Sequence, residues 1–265
     1  MSRVVLVGHP VKHSLSPAMQ NAAFAALRLP HRYEVLDVAP AALAAAVTRF
    51  RTEDVLGVNV TIPHKEAAVR LVDEVDDDVR HIGALNTIVR RGTRFVGANT
   101  DLYGCEMSIR GVLERRRVLL LGAGGAARAC AYALLRMGNS VHVANRTPDR
   151  AEKLAREIEL WGEHPTAVSW PRRGEPMDVD GVVNATPLGL AGDDPLEGIP
   201  LPHVVVDIVP TAEETALVRR AREAQDVMVV DGLVMLLYQA ARSFELWTGV
   251  PAPIEAMRAA LPRPV

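Results

Sequence analysis

The chain has 265 residues, of which 49% are hydrophobic and 23% charged, a balance typical of a folded protein rather than a disordered one. A formal net charge of −2 and an aromatic content of 4% argue against a broad nucleic-acid-binding surface or an aromatic platform for single strands. No apolar run approaches the ~18–20 residues of a membrane span, and the first residues do not resemble a signal peptide. With only two cysteines, a disulfide framework is not expected, so we predict a cytoplasmic protein.

The first hundred residues alternate between strand and helix signals. Short apolar runs that end at turn residues indicate strands, and Ala-rich segments indicate helices, with Ser16 expected as an N-cap and Pro17 at the first helical position. This alternation favours a mainly parallel sheet, with a hairpin that turns at Arg91-Gly92. The predicted strands are residues 4–7, 33–38, 57–62, 86–89 and 94–96, and the predicted helices are residues 18–27, 40–50 and 63–72.

A second α/β pattern begins after a predicted connecting helix over residues 102–113. We therefore expect two α/β domains with a boundary near residues 101–102, and the C-terminal helices could return to the first domain. The predicted strands are residues 118–121, 141–144, 182–183, 204–207 and 228–230, and the predicted helices are residues 126–137, 149–160, 233–247 and 251–261.

A glycine-rich loop connects the first strand of the second domain to its helix. Gly122, Gly124 and Ala127 occupy the three positions of the G-x-G-x-x-G/A dinucleotide fingerprint. The first glycine permits a tight turn, and the second lets the backbone approach a pyrophosphate at the helix N-terminus. A tight turn without a ligand is the structural alternative. Inside a β-α-β unit, the pattern predicts dinucleotide binding by residues 122–126.

The end of the next strand indicates which dinucleotide is bound. It ends at Asn145-Arg146-Thr147, with Arg150 close behind and no acidic residue to bind both ribose hydroxyls. Arg146 can pair with a 2′-phosphate, Thr147 can add a hydroxyl donor, and Arg150 a second charge. Alternatively, Arg146 is a surface residue and Thr147 caps the next helix. The pattern favours NADP over NAD.

Polar clusters lie beside strand ends in the first domain, where open α/β sheets bind ligands. Groups of Ser, Thr and Asn side chains can bind a polyhydroxylated ligand, although Ser16 could only cap a helix, and Asn59 or Asn99 only satisfy turn backbone. The clusters are His13-Ser14-Leu15-Ser16-Pro17, Asn59 to Lys65, Gly83 to Thr87, and Asn99-Thr100-Asp101.

Lys65 and Asp101 are the candidate acid–base pair. Lysine occurs at only three positions, and the other 27 basic residues are arginine, which effectively never loses its proton. Reduction of a ketone by hydride needs a proton for the developing alkoxide, which a lysine can deliver. Lys65 is expected at the start of a helix, where the positive dipole end disfavours its charge. A surface salt bridge is the alternative interpretation.

Together these motifs resemble the shikimate dehydrogenase family along nearly the whole chain. The resemblance implies NADPH-dependent reduction of 3-dehydroshikimate to shikimate, a step of aromatic amino-acid precursor synthesis, by an N-terminal α/β substrate domain, a Rossmann-type NADP-binding domain and a cleft between them. The matching segments are Gly8-His9-Pro10, His13 to Pro17, Asn59 to Lys65, Gly83 to Thr87, Asn99 to Asp101, Gly122 to Ala127, Asn145 to Thr147, and Asp231 to Gln239.

Carried over position by position, the resemblance assigns roles to individual residues. Lys65 and Asp101 are implied as catalytic, and Ile208 and Gly232 as residues at the nicotinamide end. Residues 1–101 are implied as the substrate and catalytic domain, completed by helices within 238–265, and residues 102–237 as the NADP-binding domain. The implied substrate ligands are Ser14, Ser16, Thr61, Asn86 and Gln239, and the implied NADP ligands are Gly122, Ala123, Gly124, Gly125, Ala126, Asn145, Arg146, Thr147 and Arg150.

One position departs from the family pattern. Pro210 stands where the family usually has a Tyr that helps to hold the substrate, and proline has no side-chain donor. Quinate or an aminoshikimate is therefore an alternative substrate, and a catalytically silent NADP-binding sensor is an alternative from another class. The eight histidines show no recognisable metal-ligand pattern, so no metal is expected. The expected partner is a small molecule, with neither nucleic acid nor membrane, and the expected oligomeric state is a monomer or homodimer.

Overall fold

The computed structural model describes residues 2–159, 165–172, 175 and 177–264. Three predicted bounds lie outside these residues: the helix end at Leu160, the first residue of the predicted first domain and the last residue of the C-terminal segment 238–265. The described chain forms two compact units: unit 1 comprises the residues up to Tyr103 together with Leu237–Pro264, and unit 2 comprises Gly104–Leu236.

Unit 1 contains a six-stranded mixed sheet. Its strands are β1 (Arg3–Gly8), β2 (Arg32–Asp37), β3 (Val55–Val60), β4 (Glu74–Val75), β5 (Thr87–Arg91) and β6 (Arg94–Ala98). Their order across the sheet is β2-β1-β3-β5-β6-β4, and β5 alone runs opposite to its neighbours. The expected mainly parallel sheet is therefore confirmed. Strand β1 is apolar and buried from Val4 to Val7, as expected of a strand covered on both faces.

Helices pack around this sheet, and several of their bounds differ from those predicted. The helices of unit 1 are α1 (Ser16–Ala26), α2 (Leu43–Phe50), α3 (Asp77–Ile82), α4 (Thr100–Ile109), α8 (Gly232–Thr248) and α9 (Ile254–Ala259). Of these, α4 ends among the residues of unit 2 and α8 begins among them. The predicted connecting helix 102–113 corresponds to α4, which ends at Ile109. Helix α3, which was not predicted, is short and is capped by the Asp76 side chain and by Gly83 in the left-handed region.

The predicted helix 63–72 is wrong. The segment instead forms turns followed by a short 3₁₀ helix, Ala67–Leu71. An α-helix would need the Lys65 carbonyl for the N–H four residues later, but the N–H of Leu85 donates to that carbonyl at 3.0 Å. Lys65 therefore lies in a turn, and the predicted effect of a helix dipole on its charge has no basis in the structure.

The predicted N-cap at Ser16 is also wrong. Ser16 is the first residue of α1, and the N-cap position is Leu15, whose side chain has no capping oxygen. The Ser14 hydroxyl takes over part of this role, because the Ser16 N–H donates to Ser14 Oγ at 3.3 Å. Pro17 still lies in the first helical turn, where the absence of its N–H is harmless.

Unit 2 contains a fully parallel sheet. Its strands are β7 (Arg117–Leu121), β8 (Ser140–Ala144), β9 (Thr166–Ala167), β10 (Gly181–Asn184), β11 (Val204–Asp207) and β12 (Met228–Val230), and its helices are α5 (Gly125–Arg136), α6 (Pro148–Glu159) and α7 (Ala216–Glu223). The strand order is β12-β11-β10-β7-β8-β9. Numbered within the unit this order is 6-5-4-1-2-3, the doubly wound dinucleotide-binding arrangement, so the expected Rossmann-type topology is confirmed.

The winding direction of this sheet reverses between β7 and β10, which are neighbours in space but not in sequence. The loops that follow the carboxyl ends of these strands are where such folds bind ligands.

A separate observation concerns the whole described chain: none of its helices combines the length and the apolar character needed to cross a bilayer.

Candidate active site

A buried ion pair forms the centre of the polar site in unit 1. Lys65 follows β3, Asp101 lies in the first turn of α4, and Lys65 Nζ donates to Asp101 Oδ2. The two side chains are 13% and 6% exposed, so the structure excludes the surface salt bridge considered from the sequence. A pair held largely out of water is costly to build, which makes Lys65 and Asp101 candidates for a role in catalysis.

Asn86 connects this pair to the surrounding elements. Its Oδ1 accepts the backbone N–H of Thr100 at 2.7 Å, which fixes the orientation of the amide, because a backbone N–H can only donate. Nδ2 must then face Asp101 Oδ1, at 2.9 Å. Asn86 thereby holds one carboxylate oxygen of Asp101 and leaves the other for Lys65.

Helix α8 supplies a second side-chain amide to this site, that of Gln239. Gln239 Oε1 accepts a hydrogen bond from Asn86 Nδ2 at 3.3 Å, which places Gln239 beside the Lys65–Asp101 pair. Two further bonds fix this part of α8 within unit 1: Gln20 Nε2 donates to the Ala240 carbonyl at 2.9 Å, and Trp247 Nε1 donates to the Ile88 carbonyl at 3.0 Å.

The other predicted substrate residues lie on the loops after β1 and β3. The Thr61 N–H donates to the Val7 carbonyl at 2.9 Å, and Ser14 receives the Ser16 N–H. Among the described residues, no hydrogen bond joins Ser14, Ser16 or Thr61 directly to Lys65, Asp101 or Asn86. The structure therefore brings together Lys65, Asp101, Asn86 and Gln239, and leaves the two serines and Thr61 as separate groups of the same unit.

The glycine loop of unit 2 has the geometry of an anion-binding loop. Gly122 has φ +111°, and a Cβ there would lie 2.9 Å from the Ala185 carbonyl oxygen, so only glycine fits this turn. Gly124 is the N-cap of α5, with no side-chain cap and no acidic residue in the first turn. A Cβ at Gly124 would meet no protein atom within 4 Å. The loop thus leaves free backbone donors and open space at the positive end of a twelve-residue helix.

The residues predicted to read the ribose follow β8. The Gly122 N–H donates to the Ala144 carbonyl at 2.8 Å, so the glycine loop and the end of β8 are adjacent. Asn145 Nδ2 donates to the Thr147 carbonyl at 2.9 Å and shapes the turn before α6. Arg146, Thr147 and Arg150 are exposed at this end of the strand.

Ile208 lies in the loop after β11, and the start of α8 at Gly232 packs against that loop. A Cβ at Gly232 would lie 2.5 Å from the Val209 carbonyl oxygen, so glycine is required for this approach. Asp207 is fully buried beneath the loop after β11, and burial raises the pKa of its carboxyl group to about 6. Pro210 is exposed in the same loop.

Sequence reasoning missed several buried polar residues that support the polar site of unit 1 and the loop after β11 in unit 2. Asp207 accepts from Thr215 Oγ1 at 2.6 Å and from Asn184 Nδ2 at 2.9 Å, and Tyr33 Oη donates to Asn59 Oδ1 at 2.7 Å. Burial raises the pKa of the Tyr33 phenol, which thus remains a neutral donor. The positions of Asn184 and Asp207 at strand ends were a signal in the sequence, whereas contacts between distant segments leave no local sequence pattern.

No cluster of three or more His, Cys, Asp or Glu side chains that could hold a metal ion occurs in the part of the chain that the structure describes. Both cysteines, Cys105 and Cys130, are buried, and neither forms a disulfide bond in the described part of the chain.

Comparison with known proteins identifies relatives along the whole chain. Three family models match: the shikimate dehydrogenase substrate binding domain over residues 6–88, shikimate / quinate 5-dehydrogenase over residues 106–167, and the shikimate 5′-dehydrogenase C-terminal domain over residues 232–261. The chain is 43% identical to a shikimate dehydrogenase (NADP(+)) of Symbiobacterium thermophilum, with 96% of this chain and 92% of the relative covered.

Solved structures agree with this similarity. A shikimate dehydrogenase crystallised in complex with NADP+ matches with a TM-score of 0.88 and 36% identity, covering 98% of this chain and 94% of that one. The shikimate 5-dehydrogenase of Thermus thermophilus in complex with NADP(H) and shikimate matches with a TM-score of 0.85 and 36% identity, covering 98% of both chains.

Proposed function

The chain belongs to the shikimate dehydrogenase family, and from this premise we propose that it is an NADP-dependent oxidoreductase that interconverts 3-dehydroshikimate and shikimate. The observation that carries the proposal is the buried Lys65–Asp101 pair, tied through Asn86 to Gln239. This arrangement combines a proton donor with amide groups that can bind a polyhydroxylated ring.

Lys65 acts as the general acid in the direction of ketone reduction. NADPH, when bound, supplies the hydride to the carbonyl carbon. The Lys65 ammonium donates its proton to the developing alkoxide oxygen, and the resulting amine takes up a proton from solvent before the next turnover. Asp101 orients Nζ through the hydrogen bond to its Oδ2 atom. In the reverse direction, neutral Lys65 accepts the hydroxyl proton, and NADP+, when bound, would accept the hydride from the ring carbon.

The substrate ligands follow from the same chemistry. Ser14, Ser16 and Thr61 supply hydroxyl groups, while Asn86 and Gln239 supply amides that can both donate and accept. Carboxylate and hydroxyl groups of a shikimate-like ring match donors and acceptors of this kind. The residues up to Asp101, with the C-terminal helices, serve as the substrate domain.

Residues 102–237 serve as the NADP domain, and their local geometry fits the cofactor. The free N–H groups at the start of α5 and the open space beside Gly124 accommodate a pyrophosphate. Gly122, Ala123, Gly125 and Ala126 complete this loop. Arg146 and Arg150 provide positive charge for a 2′-phosphate, with Asn145 and Thr147 beside them, and Ile208 and Gly232 hold the nicotinamide end.

The same chemistry on quinate or an aminoshikimate is the second candidate, favoured by one residue. Pro210 offers no hydrogen-bond donor where the family usually has Tyr. The loss of one donor to a buried ligand hydroxyl changes discrimination between substrates more than it changes the hydride chemistry.

We further propose a cytoplasmic location and a monomeric or homodimeric state. Two buried cysteines without a disulfide bond fit a reducing compartment. Light scattering of the purified protein, across a range of concentrations and with and without NADP, measures the oligomeric state.

A matrix of initial rates tests the function. The purified 265-residue chain is given shikimate, quinate and an aminoshikimate, each with NADP and with NAD, and nicotinamide absorbance is followed. We expect the highest kcat/KM for shikimate with NADP. Preference for another polyol or for NAD would overturn the substrate or the cofactor assignment. Tight NADP binding without turnover of any substrate would favour a sensor instead.

A further inference from the structure

Helix α8 carries a second polar residue one turn after Gln239. Ser243 is fully buried, and its Oγ lies 2.8 Å from Thr87 Oγ1 and 2.9 Å from Thr100 Oγ1. Asn59 Nδ2 also donates to Ser243 Oγ, at 3.3 Å. Three hydroxyl groups from β5, α4 and α8 thus meet in the interior of unit 1, where each needs a partner because no bulk water reaches it.

This hydroxyl cluster (Thr87, Thr100 and Ser243) contacts the amide that holds the catalytic carboxylate. Thr87 Oγ1 and Thr100 Oγ1 lie 3.0 and 3.1 Å from Asn86 Oδ1, and Asn86 Nδ2 donates to Asp101 Oδ1. The rotation of Asn86 about its side-chain bonds is therefore restricted on both sides of the amide. Since Asp101 presents its second oxygen to Lys65, the direction of the lysine follows from the cluster.

We propose that Ser243 is a positioning residue for proton transfer: it anchors the Thr87 and Thr100 hydroxyls, which fix Asn86 and, through it, the Lys65–Asp101 pair. The proposal rests on the proposed function of that pair. Within the described residues, no hydrogen bond joins Ser243 directly to Lys65 or Asp101, so its influence on catalysis passes through Asn86. Ser243 and Gln239 lie on the same helix. One rigid element therefore carries both the amide proposed to bind the substrate and the residue that positions the acid–base pair.

Ser243→Ala removes the hydroxyl, and Ser108→Ala is the matched control. Ser108 is likewise a buried helical serine; its Oγ donates to the Gly104 carbonyl at 2.8 Å and, among the described residues, forms no hydrogen bond with Asn86. We expect Ser243→Ala to lower kcat about five- to tenfold, the effect of one lost buried hydrogen bond on a positioned group, with KM for NADP unchanged. Ser108→Ala should keep kcat at the wild-type value.

A second position separates the hydroxyl from packing, should Ser243→Ala fail to fold. Thr87→Val keeps the shape and removes the hydroxyl, whereas Thr87→Ser keeps the hydroxyl and removes a methyl group. If positioning through the cluster is correct, Thr87→Ser retains kcat and Thr87→Val loses it. Equal kcat losses in both variants would mean that packing alone is responsible, and would overturn the proposal.

A measurement without turnover distinguishes this inference from the proposed function. Solvent exchange of the Asn86 side-chain amide protons, followed by NMR in the full chain, should accelerate about five- to tenfold in Ser243→Ala but not in Ser108→Ala. Wild-type inactivity together with this acceleration would refute the proposed function and leave the positioning of Asn86 intact. Unchanged exchange, or a kcat equal to that of the control variant, would refute the role of Ser243.

Discussion

Replacement of Lys65 by Met tests the buried ion pair through stability and activity at once. Met fills a similar volume without charge, so Asp101, whose side chain is 6% exposed, loses its ion-pair partner and keeps the hydrogen bond from the Asn86 amide. Removing one partner of a buried pair costs about 3 kcal/mol. The loss of a general acid lowers kcat by about 10²- to 10⁴-fold.

The double variant Lys65→Met/Asp101→Asn separates these two effects. The amide introduced at position 101 is neutral, and its oxygen can still accept from Asn86 Nδ2, so we expect most of the lost stability to return, to within about 1 kcal/mol of wild type. The proton donor is still absent, so kcat remains as low as in the single variant. A second substitution that restores folding but not catalysis would show that the charge pair serves the chemistry.

Urea unfolding in a Trp161→Phe/Trp170→Phe background supplies the free energies of unfolding. Trp247 is then the only indole and lies buried in unit 1, so its fluorescence reports that unit. Lys153→Met is the matched control, because Lys153 is 69% exposed beside Glu157 and its loss changes stability by less than about 1 kcal/mol. A Lys65→Met variant as stable as this control, or one that keeps more than about a tenth of kcat, would refute the reasoning.

Two further predictions concern unit 2. Gly124→Ala adds a Cβ that meets no protein atom within 4 Å, so Tm should stay at the wild-type value. The same Cβ occupies the space proposed for the pyrophosphate, so KM for NADP should rise about tenfold. Gly122→Ala, at φ +111°, should instead lower Tm. A Gly124→Ala variant with normal KM would refute pyrophosphate binding there. Burial raises the pKa of Asp207, so the carboxyl keeps its proton up to about pH 6 in the native state but only up to about pH 4 in the unfolded state. Its contribution to stability is therefore fully present below pH 4 and is lost as the pH rises through 6. Relative to wild type, Asp207→Asn should therefore gain about 3 kcal/mol between pH 4 and pH 7 in urea unfolding, and a pH-independent difference between the two proteins would contradict the assignment.

The sequence alone identified the chemistry of this protein because that chemistry is encoded in short, ordered motifs. The glycine spacing at 122–127 depends only on neighbouring residues, since a tight turn and a helix N-terminus are local structures. The rarity of lysine singled out Lys65, and the alternation of strands and helices gave two α/β domains of the correct class.

Tertiary structure decided how the groups of unit 1 are held. The helix expected after Pro63 does not form, because the Lys65 carbonyl accepts the Leu85 N–H, and a partner twenty residues away leaves no trace in local propensity. The orientation of Asn86 depends on the Thr100 N–H, and Ser243 reaches the hydroxyls beside the same amide from a segment more than 140 residues further along the chain. Residue types and their order determine what reactions a chain can perform. Which carboxylate oxygen faces the lysine is decided only when distant segments pack and exclude water, because buried polar groups must then find each other.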